Sequence, residues 1–534
     1  MPTVGQVIAD RLATAGVRRV YGYPGGEVLD LIEALRQRGL EFILTRHESA
    51  AAFMAGGEGE MTGVPGVCLA TLGPGATNLV SGVADAYLDR QPLLAITGQL
   101  PADRYEISPH QRIDLGSLFR PITKLSARLT PGNAANLMDK ALATAVAERP
   151  GPVHLELPSD VTTKEAAERP QGGPFGLPQP MEGPAHPLAL DHATELLKLF
   201  PKAVALAGPG VIRADAAGPF WNFARAWGLP VVVGPKAKGV FDEDHPLFTG
   251  VIEALGTKVL FDFIHSAEML VTVGFDPVEL DKAWLYDGPV LHIDRASNID
   301  EYWHAAAEVV GRLGDTLDTL AWRAPKPTPE WGEEAATKVR EALRSAIDGA
   351  PVWSAEGVRV RELFEKVRRV MPLETVVTCD VGAHKFAAGQ LWLTMRPGTF
   401  YMSNGQSSMG YGLPTAMAAS FVYPERPVVA FIGDGGLGMY LGELETIARY
   451  GLKLGIVVLM DEKLSLIRIG QERRGYPEYG VGFANPDLTH LGKAFGIKTV
   501  MAKTAARVAS ALKGLPADGP VLVGVPVDPG SYRV

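Results

Sequence analysis

The chain alternates. Short runs of β-branched and other apolar residues recur at 19–23, 41–45, 66–72, 93–97 and 153–157, each followed by a stretch with helical spacing of its apolar positions. The pattern starts again at 203–207, 230–233, 270–273 and 290–293, and a third time at 375–379, 428–432, 455–460 and 521–525. Strands that take turns with helices predict parallel sheets covered by helices on both faces. Two Pro- and Gly-rich stretches interrupt the alternation, AAERPQGGPFGLPQPMEGPAHP at 166–187 and PKPTPE at 325–330. Proline removes backbone donors and favours extended connectors. The expectation is an α/β protein of three doubly wound domains, at 1–165, 188–324 and 352–534, a number that suits 534 residues. There is no short-period repeat, which excludes a solenoid.

Composition narrows the function classes. Lys plus Arg number 51 against 60 Asp plus Glu, a formal charge of -9 that leaves no basic footprint for nucleic acid. No stretch approaches the roughly 18 apolar residues of a membrane span, and the first residues carry Asp10 and Arg11 rather than the apolar core of a signal peptide. The two cysteines, Cys68 and Cys379, fall in strand-like runs and read as buried thiols of a cytoplasmic protein.

The chemistry gathers at strand ends. The run 428–432 leads into Gly433-Asp434-Gly435-Gly436, and Leu437, Leu441, Leu444, Ile447 and Ala448 then mark the core face of a helix. Free N–H groups at a glycine-lined helix start suit a phosphate. An aspartate beside a phosphate needs a cation between them, so Asp434 points to a hard metal ion such as magnesium. Taken alone, the turn reads equally well as a plain strand-turn-helix with Asp434 as its cap. Asp461 ends the run 455–460, which places a second carboxylate at a C-terminal strand end, where parallel sheets bind ligands. Glu48, in Arg46-His47-Glu48-Ser49, opens an Ala-rich helix, and a carboxylate there is also favoured by the helix dipole alone.

Together these segments resemble the thiamine diphosphate enzymes, and over essentially the whole chain the acetolactate synthases, with most likeness to the flavin-independent catabolic type. The resemblance implies that Asp434, Asp461 and the carbonyl of Lys463 hold magnesium on the diphosphate. Met460-Asp461 stands where the common motif has paired asparagines. Glu48 would bond the aminopyrimidine nitrogen and shift that ring to the imino form that deprotonates the thiazolium, which requires a carboxylate in apolar surroundings. Leu72-Gly73-Pro74-Gly75-Ala76-Thr77-Asn78 resembles the segment beneath the aminopyrimidine, making Gly73, Pro74 and Asn78 cofactor neighbours. Gly25, in Tyr21-Gly22-Tyr23-Pro24-Gly25-Gly26, belongs with them. Gly382 and His384 resemble a diphosphate loop, completed by Gly433, Gly435 and Gly436. Met409, in 403–414, matches the apolar wedge that bends the cofactor. Gln111 and Lys124 match polar contacts near the substrate, although in isolation they read as a loop residue and an edge charge.

The implied activity is decarboxylation of a 2-keto acid, pyruvate being the first choice, and joining of the remaining carbanion equivalent to a second keto acid or an aldehyde. A simple decarboxylase and a flavin-linked oxidase are the alternatives. FAD is not expected: Phe275-Asp276-Pro277-Val278-Glu279 replaces the Arg-Phe-Asp-Asp-Arg segment of flavin-binding relatives, and Gly208-Pro209-Gly210 lacks the full dinucleotide fingerprint. The resemblance also implies a homodimer or homotetramer with active sites between subunits.

Overall fold

Three six-stranded sheets carry the fold of this computed structural model, which describes residues 1–167, 183–280, 286–298, 304–325 and 331–533. The first sheet comprises β1 (Arg19–Tyr23), β2 (Glu41–Leu44), β3 (Gly66–Ala70), β4 (Leu93–Gln99), β5 (Leu125–Arg128) and β6 (Pro152–Pro158), in the order β2-β1-β3-β4-β6-β5. The second holds β7 (Ala203–Ala207), β8 (Val231–Val233), β9 (Phe248–Val251), β10 (Met269–Val273), β11 (Val290–Asp294) and β12 (Ala307–Val310), ordered β12-β11-β10-β7-β8-β9. The third contains β13 (Val376–Cys379), β14 (Phe400–Met402), β15 (Val428–Gly433), β16 (Leu454–Met460), β17 (Lys498–Met501) and β18 (Val521–Pro526), ordered β14-β13-β15-β16-β18-β17. Every ladder among these strands is parallel. The predicted α/β class with three parallel sheets is what the chain adopts.

Parallel strands covered on both faces need apolar side chains on both, which is why β8 reads Val-Val-Val and β16 reads LGIVVLM. The strands that the periodicity does not announce are β5, β9, β12, β14 and β17, and all five lie at sheet edges. They are three or four residues long, and β5 and β17 carry partly exposed polar side chains. The first linker falls mostly outside the described residues, as do residues 326–330 of the second.

The chain packs as two compact units. One is built on the first sheet and takes in residues 406–424 and 438–452; the other holds the second and third sheets. In the first unit the helix Glu48–Thr62 is buried from Ser49 through Gly59. Its glycines permit that depth: a Cβ on Gly59 would stand 2.1 Å from the Pro92 carbonyl oxygen, and one on Gly57 would stand 2.9 Å from Thr415. Cys68 and Cys379 are both buried, and burial pushes both thiols up. Among the described residues no helix is long and apolar enough to cross a membrane.

Candidate active site

In the first sheet the chain runs outward one way through β1 and β2 and the other way through β3 and β4, so a crevice opens past the C-terminal ends of β1 and β3. Several of the residues singled out from the sequence collect there. His47 caps the helix Glu48–Thr62, its ring accepting from Ser49 N, and the Arg46 and His47 amides donate to Glu443 Oε1 at 2.9 and 3.0 Å. Glu48 is thereby fixed at the first helical position just beyond β2. Asn78 Nδ2 donates to its Oε2 at 3.0 Å. A Cβ on Gly75 would stand 3.4 Å from Glu48 Oε1, so the turn 73–78 lies against this carboxylate. Gly73, at φ +59, faces Gln111: a Cβ there would come within 2.9 Å of the Gln111 Cβ. Gly25 abuts Thr71 in the same way, at 2.5 Å. Pro74 opens the helix Pro74–Leu88, where its missing N–H costs nothing.

Lys124 is not brought to this group. It precedes β5, at the N-terminal edge of a wholly parallel sheet and hence opposite the crevice. Its ammonium donates to the carbonyls of Ala147 and Arg149 at 2.6 and 2.8 Å, closing the end of the helix Ala134–Val146. The strand-edge reading of this lysine is the one its contacts support. Met409 is half-buried on the turn before the helix Gly412–Val422, and the neighbouring Gly410 packs on Tyr440, whose hydroxyl lies 2.7 Å from Ser49 Oγ.

The third sheet reverses direction between β13 and β15, and its crevice holds the second group. Asp434 is the hub: its Oδ2 accepts from the Asp461 and Glu462 amides at 3.0 and 2.8 Å and from Asn485 Nδ2 at 2.9 Å, while Oδ1 accepts from Gly435 N at 2.9 Å. Asp461 Oδ1 accepts from Lys463 N at 3.3 Å and Oδ2 from Ser465 Oγ at 2.5 Å. Burial first, and then the nearby Asp434, pushes the Asp461 carboxyl up to about 6. The Lys463 segment is pinned by Leu464 N to Val481 O and Phe483 N to Glu462 O. Across the crevice, His384 is buried and a Cβ on Gly433 would stand 3.1 Å from its ring. Burial lowers this imidazole to about 4, and its Nε2 has no hydrogen-bond partner. A Cβ on Gly436 would fall 1.9 Å from Asp380 Oδ2, so only glycine lets this turn approach the end of β13.

One expectation changes here. The helix predicted to follow the glycine turn without a break is two helices, Asp434–Met439 and Glu443–Tyr450; Leu441 is only half-buried and Ala448 is exposed. Six residues make a weak macrodipole, so backbone N–H groups rather than a long helix would meet a phosphate. The donor set fits a metal-bridged diphosphate. The Asp461 carboxylate, raised in energy by burial and by the neighbouring Asp434, gains from a divalent cation, and the orphaned His384 Nε2 offers a polar partner beside the glycine turn.

The second sheet is different. Its order is that of a dinucleotide-binding fold, with the reversal between β7 and β10. There, Gly208 N donates to Val273 O and Gly210 N to Gly274 O, both at 2.9 Å. A Cβ on Gly208 would lie 2.4 Å from the Gly274 carbonyl oxygen. The two turns are in backbone contact, and the helix that follows, Gly210–Arg213, is a single turn. These residues do not fit a dinucleotide pyrophosphate at that crevice.

Glu27, Thr71, Asp380 and Asn485 escape the sequence reading. Asn485-Pro486-Asp487 carried only a turn signal, and Asp487 caps the helix Leu488–Phe495; nothing in the spacing aims Asn485 back at Asp434.

Comparison with known proteins gives three family matches in chain order. They are the thiamine pyrophosphate enzyme N-terminal TPP-binding domain at residues 2–118, the central domain at 190–320 and the C-terminal TPP-binding domain at 380–525. The chain is 31% identical to a probable acetolactate synthase large subunit of Methanocaldococcus jannaschii, over 98% of this chain and 92% of the relative. It is 29% identical to an acetolactate synthase of Bacillus subtilis, over 98% and 93%. With the acetolactate synthase isozyme 2 large subunit of Escherichia coli it shares 31% over 98% and 95%.

Proposed function

The chain belongs to the thiamine pyrophosphate-dependent acetolactate synthase family, and from that premise we propose a magnesium-dependent carboligase that decarboxylates a 2-keto acid, pyruvate first, and joins the remaining unit to a second carbonyl compound. The observation that carries this reading is the Glu48 carboxylate, fixed at a helix start and held by Asn78 at the crevice of the first sheet.

Thiamine diphosphate, when bound, supplies the carbon nucleophile that adds to the keto group and accepts the electron pair left behind by carbon dioxide. The chain supplies orientation and proton traffic. Glu48 would hold a proton at the aminopyrimidine ring nitrogen and take it back, and Asn78 keeps the carboxylate in place by its hydrogen bond. Gly25, Gly73, Pro74 and Gln111 shape the surrounding wall. Asp434, Asp461 and the Lys463 carbonyl would hold magnesium, with Asn485 orienting Asp434. Gly382, His384, Gly433, Gly435 and Gly436 would receive the diphosphate, and Met409 would press on the cofactor from its turn. Lys124 has no part in the chemistry. FAD is left out of this reading, which is supported by the close backbone contact of Gly208 with Gly274 at the crevice of the second sheet. The assembly is a homodimer or homotetramer, a reading supported by exposed apolar side chains just beyond the metal pair, Ile467 at 53% and Tyr479 at 84% exposure.

The test supplies purified protein with thiamine diphosphate, magnesium and pyruvate, and measures carbon dioxide and ligated product together. One ligated product per carbon dioxide is expected. Glu48→Gln should keep cofactor affinity and lose at least about a hundredfold in turnover, the scale of a lost general acid-base group. Carbon dioxide with free acetaldehyde, or near-normal turnover in the variant, would refute the assignment.

A further inference from the structure

Glu27 is a carboxylate at the first crevice that the proposed chemistry leaves without a task. It sits on the turn Gly26–Val28 directly after β1, and its Oε2 accepts the hydroxyl proton of Thr71, which follows β3. The Glu27–Thr71 bond therefore spans the point where the strand order reverses, the place at which parallel sheets receive ligands. Its Cβ is also near β4: a Cβ on Gly98 would stand 3.2 Å from it. From Thr71 the contacts lead on to Glu48. A Cβ on Gly75 would lie 2.8 Å from Thr71 Cγ2 and 3.4 Å from Glu48 Oε1. One threonine and one glycine thus separate the two carboxylates. Among the described residues no cation pairs with either, and Glu27 Oε1 has no hydrogen-bond partner.

That arrangement discriminates between acceptors by charge. A second 2-keto acid accepted beside Glu27 would bring its carboxylate against that side chain, with which no cation among the described residues pairs, and like charges in a partly buried site repel. An uncharged aldehyde avoids the repulsion, and one bearing a hydroxyl can donate to Glu27 Oε1. We infer that Glu27, anchored by Thr71, is a specificity-determining residue that selects an uncharged, hydroxyl-bearing aldehyde over a second 2-keto acid as acceptor. This rests on the carboligase reading above. In the step selected, the bond from the keto carbon to the departing carboxylate breaks and releases carbon dioxide. Its electron pair forms the new bond to the aldehyde carbon, and the aldehyde oxygen takes up a proton to become a hydroxyl.

The experiment gives holoenzyme pyruvate and glycolaldehyde at equal concentration and measures acetolactate, 3,4-dihydroxybutan-2-one and carbon dioxide. Wild type should favour the dihydroxybutanone, and Glu27→Gln should move the product ratio at least about tenfold towards acetolactate; Thr71→Val should move it the same way by less. A ratio equal within twofold in wild type and E27Q, or a tenfold excess of acetolactate from wild type, would overturn the assignment of Glu27 while leaving the carboligase reading intact. Carbon dioxide without either ligated product would instead overturn the carboligase reading, and Glu27 with it. A product ratio is the chosen readout because a merely structural role for Glu27 would lower both products alike.

Discussion

The middle and third sheets present the same kind of crevice and do opposite things with it. Both are parallel, both reverse direction between two central strands, and both place a glycine turn at that point. In the third, the turn 433–436 packs against the side chains of Asp380 and His384 rather than on a facing backbone, and Asp434 gathers donors from two further segments. In the middle, Gly208 and Gly210 lie directly on the backbone of Gly274, and the backbone groups that could receive a phosphate are used on each other. Strand order decides where a ligand could bind. The residues at the turns decide whether there is room for one.

Substitutions at the two turns should separate these cases. Asp434→Asn removes a charge from the proposed metal pair and should weaken magnesium-dependent binding of thiamine diphosphate by at least about tenfold. Gly210→Ala should act on stability alone. Its Cβ would stand 2.7 Å from the Gly274 backbone, an overpacking that costs about 1–3 kcal/mol, while cofactor affinity stays as in wild type. A loss of cofactor affinity in G210A comparable to that in D434N would erase the distinction.

A smaller effect concerns acid stability. Burial lowers His384 to about 4 and His154, which lies between Thr97 and Ser126 and stacks on Phe119, to about 3. Unfolded, both would titrate near 6.5. The unfolded chain therefore binds more protons than the folded one as pH falls below that value. Stability present above about 6.5 is lost on acidification towards 4 for His384 and 3 for His154, each contributing up to about 1.4 kcal/mol per pH unit. Urea midpoints between pH 7 and 5 should show this slope. His154→Gln should flatten it without changing cofactor binding, whereas His384→Gln should flatten it and also weaken binding. Equal effects of the two on cofactor affinity would remove His384 from the third crevice's function.

The central strands of every sheet were legible because burial on both faces writes itself as continuous apolar runs. Edge strands such as β5 and β17 were not, since one side faces away from the sheet and their short polar sequences resemble loops. The same limit governs the site. Gly73 and Asp434 follow the buried strands β3 and β15, Glu48 opens the helix after β2 and Asn78 lies on the helix after β3, and local pattern together with resemblance locates them. Asn485 and Asp380 act on Asp434 and Gly436 from other segments, and such convergence depends on tertiary packing. Lys124 shows the converse error: a polar side chain in a matching segment, placed by strand direction at the opposite edge of its sheet and bonded to carbonyls there. The interrupted helix after Gly436 likewise kept its apolar spacing across a break that periodicity does not register.

Calorimetric titration of the purified protein with thiamine diphosphate and with FAD, each in the presence and absence of magnesium, tests the contrast between crevices most directly. One thiamine diphosphate per chain, bound only with the metal, and no heat from FAD is the predicted result. Stoichiometric FAD binding, or thiamine diphosphate binding indifferent to magnesium, would contradict it.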